Sequence, residues 1–324
     1  MKAAVYYENG GPEVLRYETV PDPICPEDGV LIDVEVISLE GGDTLHRART
    51  PLAKHPHIVG YQCAGTVREV GAKAGHRKVG EKVVAIVPNG SHAEVVAARA
   101  ATTWAIPPGA DMRELACVPV AFGTAHECLF PLGATASGHR VLVHAGAGGV
   151  GLAAIQLARA VGAEVVTTAS SDDKLARLVA MGARHGVNYK SSDLVQAVAA
   201  AVGPDAIDVV VDPVGGKTLQ DSVGCLRYRG RIINMGMAGR DPVAFNPLPL
   251  WAKNGTLIGM SLSTSLAKEH ERTYADIAHL LDRVATGELR VVIDKVFPLA
   301  KAADAHAYVE GRTAFGRVIM VPRA

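Results

Sequence analysis

The sequence predicts an α/β protein of two domains: a doubly wound parallel sheet, and a partly antiparallel, barrel-like β domain. Three observations carry this. The stretch Arg140-Val141-Leu142-Val143-His144-Ala145-Gly146-Ala147-Gly148-Gly149-Val150-Gly151 reads as strand, glycine turn and helix start. Near residue 118 short β-type runs broken by Gly and Pro give way to alternating helices and strands. A chain of 324 residues is also too long for a typical single core.

In chain order, the β-type runs are Val30–Ile37, Gly65–Val70, Lys82–Val87 and His92–Val96. Alternation in the first of them and the frequent turns indicate a partly antiparallel, barrel-like domain over residues 1–117. Residues 118–260 offer strands at Val141–His144, Val165–Ala169, Gly186–Tyr189, Ile207–Asp212, Arg231–Met235 and Thr256–Met260, with helices between them. The tail, 261–324, gives a helix near Lys268–Ala285 and strands at Val291–Phe297 and Arg317–Val321, and is expected to return to the first domain, leaving a cleft between the two. No internal repeat or low-complexity segment interrupts this plan.

The spacing Gly146-x-Gly148-x-x-Gly151 is the dinucleotide fingerprint. The first glycine permits the tight turn, the second lets a pyrophosphate approach the backbone, and the third lets helix and strand pack closely. The helix N-terminus then turns its free N–H groups toward the anion. Alone the spacing is weak, but here it follows a strand, opens a helix and leads to the strand Glu164–Ala169, as a βαβ unit requires.

Lys+Arg and Asp+Glu both number 33, a balance that argues against nucleic acid or an anionic membrane as the main partner. No apolar run has the length of a transmembrane helix, and Met1–Tyr6 reads as a strand, not a signal peptide, so a cytoplasmic location is expected. The five cysteines, Cys25, Cys63, Cys117, Cys128 and Cys225, are scattered without a CxxC pair and read as reduced, mostly buried thiols.

Met1–Ala4 with Gly10–Leu15, Val79–Val83, Gly123-Thr124-Ala125, Val141–Gly151, Gly182-Ala183, Val187-Asn188-Tyr189, Arg229-Gly230-Arg231 and Val292–Leu299 follow one another in a distinctive order and spacing. On these residues the chain resembles, along nearly its whole length, the medium-chain dehydrogenase/reductase superfamily, specifically its zinc-independent quinone oxidoreductase and zeta-crystallin branch. The resemblance implies a Rossmann domain joined to a GroES-like catalytic domain. It also implies a homodimer, in which the apolar edge Thr256–Met260 can join subunit sheets.

An NAD enzyme of this fold would place Asp or Glu at the end of the second strand. Ala169, Ser170 and Ser171 stand there instead. NADPH is therefore expected, its 2′-phosphate met by Ser170, Lys174 and Tyr189; in the resembling reductases the last two positions contact that phosphate. Asp172-Asp173 read as first-turn residues of a helix capped by Ser171. The glycine turn itself contributes Gly146, Ala147, Gly148, Gly149, Val150 and Gly151. Loops at Val214–Gly216 and at Met235, Gly236 and Met237, with Gly259 and Met260, are expected to complete the cofactor pocket.

The zinc-dependent relatives use a Cys, a Gly-His-Glu unit and a further Cys or Asp. The matching positions here are Glu40 and Gly60-Tyr61-Gln62, poor ligands for an open zinc site, so no metal is expected. His55-x-His57 has ligand-like spacing but reads as a surface turn around Pro56. Hydride delivery to an already polarised acceptor, a quinone or an enone, needs no metal. Proton donors are then sought among Tyr61, at the place of the zinc-ligand histidine, His46 and His126. The plainer alternatives are packing for Tyr61 and a solvated loop for each histidine. One departure weakens the ordinary quinone or enone assignment: many quinone reductases have Asn-Pro-Val-Asp-Thr-Tyr where this chain has Glu40–Leu45, so the Asn and Tyr that approach the nicotinamide are missing. A zinc-free alcohol or carbonyl oxidoreductase, or an NADPH-binding protein with little turnover, are the alternatives. Pro247–Trp251, Phe122, Leu45 and Met237 suggest a mainly apolar substrate site, with Trp251 equally suited to dimer packing.

Overall fold

The computed structural model describes residues 1–52 and 54–322. They form two compact units, Met1–Val120 with Tyr274–Ala324, and Ala121–Thr273. The boundaries differ from those expected in two places. Val118–Val120 belong with the first unit, where the Val120 amide donates to Gln62 Oε1 at 2.9 Å. Residues 261–273 belong with the second, because the buried Glu127 carboxylate holds Ser265 at 3.0 Å and Arg272 at 2.6 Å. The helix expected near Lys268–Ala285 is His270–Ala285, and a further helix, Leu262–Lys268, precedes it and ends where Glu269 leaves helical geometry (φ −131°, ψ 49°).

In the first unit the long strand Gly29–Leu39 is the centre. It pairs antiparallel with Gln62–Val70, Val95–Arg99 and Arg317–Val321, and the sheet extends through Ile293–Pro298 on one side and Lys82–Ile86 and Thr103–Ala105 on the other. The tail therefore supplies two strands to a sheet begun near residue 29. Val30, Ile32, Val34 and Ile37 bury their side chains with Val67, Val83, Val318 and Met320, as a strand with one face on the core requires. A second, three-stranded antiparallel sheet joins Arg16–Thr19, Lys2–Tyr6 and His57–Ile58. Strand Val95–Arg99 begins later than expected; Ala93 makes only an isolated bridge to Ala3. Two helices, Gly41–Arg49 and Ala302–Glu310, were not evident from periodicity.

The second unit is a six-stranded, wholly parallel sheet. Numbered along the chain from Arg140–Val143, its strands lie in the order third, second, first, fourth, fifth, sixth. They are His185–Asn188, Glu164–Ala169, Arg140–Val143, Ile207–Asp212, Leu226–Asn234 and Thr256–Gly259. The order reverses beside Arg140–Val143, which puts the glycine turn at the switch point where doubly wound sheets bind ligands. Leu142, Val166, Val210 and Ile232 form the middle of its core. Among the described residues no helix is long and apolar enough to cross a membrane.

Candidate functional site

At the end of strand Arg140–Val143 the backbone turns through Ala145, whose φ of 51° lies in the left-handed region. Gly146 N donates to Thr168 O at 2.9 Å, and Gly148 N donates to Ala145 O at 2.9 Å, closing the turn. Helix Gly149–Ala160 then starts from Gly148 with no side chain capping it, leaving its first N–H groups for an anion. The glycines do separate work. A Cβ at Gly151 would lie 2.5 Å from Ala145 O and 2.7 Å from Gly146 Cα, and one at Gly146 would lie 2.1 Å from Thr167 Oγ1. Gly148 is exposed and has only one neighbour at 3.3 Å, so it is the open face of the cradle.

The other expected cofactor residues lie at or just past the carboxyl ends of neighbouring strands. Ser170 follows Ala169; Tyr189 N donates to Ala169 O at 3.2 Å, which keeps the two chain ends together. Ser171 caps helix Asp172–Ala180 through Lys174 N, with Asp172 and Asp173 in its first turn, as its sequence indicates. Asp172 is further occupied by Asn188 Nδ2 at 2.9 Å. Asp212 Oδ1 accepts from Val214 N (2.7 Å) and Gly215 N (3.1 Å), and Ala238 N and Gly239 N donate to Pro213 O and Val214 O. The loops after the fourth and fifth strands are thereby sewn together. Asn234 Nδ2 donates to Gly236 O at 3.0 Å, and Met260 N to Asn234 O at 2.9 Å, which fixes Met235–Met237 against Gly259 and Met260.

In the first unit Tyr61 and His46 come together. Tyr61 Oη donates to Gly42 O at 3.3 Å and lies 3.4 Å from His46 Nδ1. Burial, reinforced by Asp43, pushes the Tyr61 phenol far above its ordinary range, and burial lowers His46, so both are neutral near pH 7. A Cβ at Gly42 would stand 2.6 Å from Tyr61 Cε2. The unusual Glu40-Gly41-Gly42 segment and the tyrosine are thus sterically matched, and nothing in either stretch alone announces it. Asp43 is fully buried beside them, its Oδ2 accepting from Glu40 N at 2.8 Å, and burial followed by the Glu40 charge raises its carboxyl well above the usual range.

The positions that match zinc ligands are occupied with each other. Gln62 Nε2 donates to Glu40 Oε1 at 2.7 Å, and Arg317 Nη2 donates to the same oxygen, to Ser38 Oγ at 2.6 Å and to Leu39 O at 3.1 Å. Glu40, Gln62, Ser38 and Arg317 are all buried. A metal cation at Glu40 would meet the guanidinium already held there, so this donor set does not fit zinc.

Three expectations are corrected. His57 is not in a surface turn; it is 2% exposed, in strand His57–Ile58, with its ring 5.2 Å from Tyr6 and 5.6 Å from His46. Phe122 is core, 2% exposed, whereas Trp251 (69%), Leu248 and Met237 are exposed. Neither His46 nor His126 sits in a loop: His46 lies on helix Gly41–Arg49 and His126 on helix Val118–Glu127, in the second unit, its ring 4.9 Å from Phe130.

Two family profiles match the chain: "Alcohol dehydrogenase GroES-like domain" over residues 26–128 and "Zinc-binding dehydrogenase" over residues 149–283. The human quinone oxidoreductase is 31% identical over 326 residues, covering 99% of this chain and 98% of the relative. A Burkholderia 2-haloacrylate reductase is 30% identical over 333 residues, covering 99% of each. Among solved structures, a mycobacterial protein complexed with NADPH superposes with a TM-score of 0.92 at 32% identity, covering 99% of this chain and 100% of that one.

Proposed function

The chain belongs to the quinone oxidoreductase branch of the medium-chain dehydrogenase/reductase superfamily, and from that premise we propose that it reduces a quinone or an α,β-unsaturated carbonyl with NADPH and without a catalytic metal. The observation that carries this reading is the closed set Glu40, Gln62 and Arg317, in which the positions matched to the family's zinc ligands hydrogen-bond with one another and with a guanidinium. For the cofactor, support comes from the absence of a carboxylate at Ala169-Ser170, and from the mycobacterial relative, which was solved with NADPH.

In this reading Gly146 to Gly151 cradle the pyrophosphate, and Ser170, Lys174 and Tyr189 meet the 2′-phosphate. Met235, Gly236, Met237, Gly259 and Met260 border the nicotinamide end. NADPH, when bound, supplies the hydride. Tyr61, held undissociated by burial, offers its O–H to the acceptor oxygen as negative charge develops there. To do so the Tyr61 hydroxyl turns from Gly42 O to the acceptor; the phenolate left by proton transfer takes a proton from His46, 3.4 Å away, which is itself reprotonated from solvent, and His126 is the third candidate donor. An apolar acceptor, a cytoplasmic location and a homodimer joined at the edge strand Thr256–Gly259 complete the proposal.

The test is NADPH consumption by chelator-treated protein against a benzoquinone, a naphthoquinone, a short 2-alkenal, an enoyl thioester and a simple ketone. Turnover on the quinones or alkenes, indifferent to the chelator, is expected. Turnover confined to the ketone replaces the reading with a zinc-free carbonyl reductase, and tight NADPH binding without turnover replaces it with a cofactor-binding protein. Loss of activity on chelation overturns the metal-free part.

A further inference from the structure

The glycine turn is held from behind by a directed series of three side chains that runs between two backbone groups, the Thr218 carbonyl and the Ala145 N–H. Ser222 Oγ donates to Thr218 O at 2.7 Å, so its proton is committed. The 2.8 Å contact between His144 Nε2 and Ser222 Oγ is then an Nε2–H donating to the serine. That tautomer leaves His144 Nδ1 as an acceptor, and Thr168 Oγ1 donates to it at 3.2 Å. The remaining lone pair of Thr168 Oγ1 receives the Ala145 N–H at 3.2 Å. His144, Thr168 and Ser222 are all buried, and burial keeps the imidazole neutral against the pull of Asp212.

The group at the end of this series is the one the cradle turns on. Ala145 is a non-glycine residue at φ 51°, a conformation that persists only where its surroundings impose it. Its carbonyl accepts from Gly148 N at 2.9 Å and would lie 2.5 Å from a Cβ at Gly151. The anchored N–H and this carbonyl lie in successive peptide units joined at the Cα of Ala145, and the second unit is held in turn by Gly146 N donating to Thr168 O at 2.9 Å, so a change in the Ala145 torsions would displace both the open and the close-packed glycine.

We propose that His144 is a positioning residue for the dinucleotide turn, holding the Ala145 N–H, and with it the left-handed torsion at Ala145, through the Thr168 hydroxyl. Its functional consequence rests on the NADPH reading above; its structural content does not. The ring works by the side of it that faces Thr168, which separates this role from simple packing. In His144→Asn the amide oxygen stands near the place of Nδ1 and keeps the acceptor for Thr168, while in His144→Gln the amide nitrogen reaches toward Ser222 and that acceptor is lost. His144→Leu keeps neither. Thr168→Val removes the hydroxyl at constant shape, and Thr168→Ser restores it.

The experiment has two readouts on these five variants: amide hydrogen exchange of Ala145 in the free protein, and the Kd for NADPH by fluorescence titration, with thermal midpoints measured alongside. His144→Leu, His144→Gln and Thr168→Val should speed Ala145 exchange and raise Kd by about tenfold, the scale of one lost buried hydrogen bond. His144→Asn and Thr168→Ser should stay within about twofold of the parent, whatever their thermal midpoints. Thr168→Val carries the test if a His144 variant fails to fold. The proposal is overturned if Asn is as impaired as Leu, if Thr168→Val matches the parent, or if Kd and exchange simply follow thermal stability. Absence of NADPH binding by the parent would fell the NADPH reading instead, and the Ala145 exchange order would still decide the role of His144.

Discussion

The two units build their candidate sites from different material. In the second, the turn from Ala145 to Gly151 is made of backbone, and its parts are neighbours in sequence. In the first, the buried cluster is made of side chains from three strands, Ser38, Gln62 and Arg317, and of Glu40, the N-cap of helix Gly41–Arg49. Glycine spacing is itself a geometry, so a backbone site is written into one short stretch. A side-chain cluster depends on strand register, here Val318 opposite Leu39 and Cys63 opposite Ile37, which only tertiary pairing sets.

The sharpest way to break the side-chain site is Arg317→Leu. It leaves Glu40 as a buried charge without its guanidinium, and should cost about 3–5 kcal/mol in denaturant unfolding. Pairing it with Glu40→Gln should recover a large part of that loss. The backbone site breaks at Gly151. Because Gly151→Val meets main-chain atoms that have nowhere to go, the Kd for NADPH should rise about 100-fold, roughly 2.7 kcal/mol, with the first unit's stability unchanged.

Acid should separate the units as well. His92 and His306 are buried in contact, Nε2 to Nε2 at 3.3 Å, and burial pushes His92 down to about 4 and His306 well below its ordinary value. An imidazole depressed in the folded state favours folding above its unfolded pKa of about 6.5, and that contribution fades as pH falls toward the folded value. Unfolding free energy should therefore drop between about pH 6.5 and 4 by up to about 1.4 kcal/mol per pH unit for each histidine. Asp43, raised by burial, works in the opposite sense. The His92→Gln variant should show a shallower slope, and an unchanged slope would remove His92 from this account.

Smaller effects probe Tyr61. Tyr61→Phe should lower kcat about tenfold with little change in the KM for NADPH, the scale of one general-acid contact being modest when solvent can substitute. Gly42→Ala should lower it only a few-fold, about 0.7 kcal/mol, because the obstacle is a ring that can shift and not a carbonyl.

These contrasts also mark what could be read in advance. The parallel strands of the second unit, buried on both faces, stand out as apolar runs, and Glu164–Ala169 and Ile207–Asp212 match their expected limits; so does Arg317–Val321, which lies antiparallel to Gly29–Leu39. The cap at Ser171 was legible because capping is local. Helix Gly41–Arg49 was not: it opens with two glycines and its polar residues turn inward, Asp43 onto Glu40 N and Arg47 onto Gly10 O, His306 and Glu310. Buried polar partners invert the pattern on which periodicity depends. The burial of His57 has a different cause, since its strand pairs with Tyr6, far upstream, and its ring packs on Tyr6 and His46. His144 gave one signal, a polar residue ending an apolar strand, but its partners Thr168 and Ser222 lie 24 and 78 residues away.

The Glu40–Arg317 pair spans 277 residues. On a ribosome adding about 5–20 residues per second, the arginine reaches the growing chain roughly 14 to 55 s after the glutamate. All of Ala121–Thr273, contiguous and complete in its sheet, is made within that interval. The first unit spends it as an unfinished sheet, with the Arg317–Val321 side of its central strand uncovered and a carboxylate waiting for its counter-ion. Of the two units, it is the one that a nascent-chain chaperone would have reason to hold.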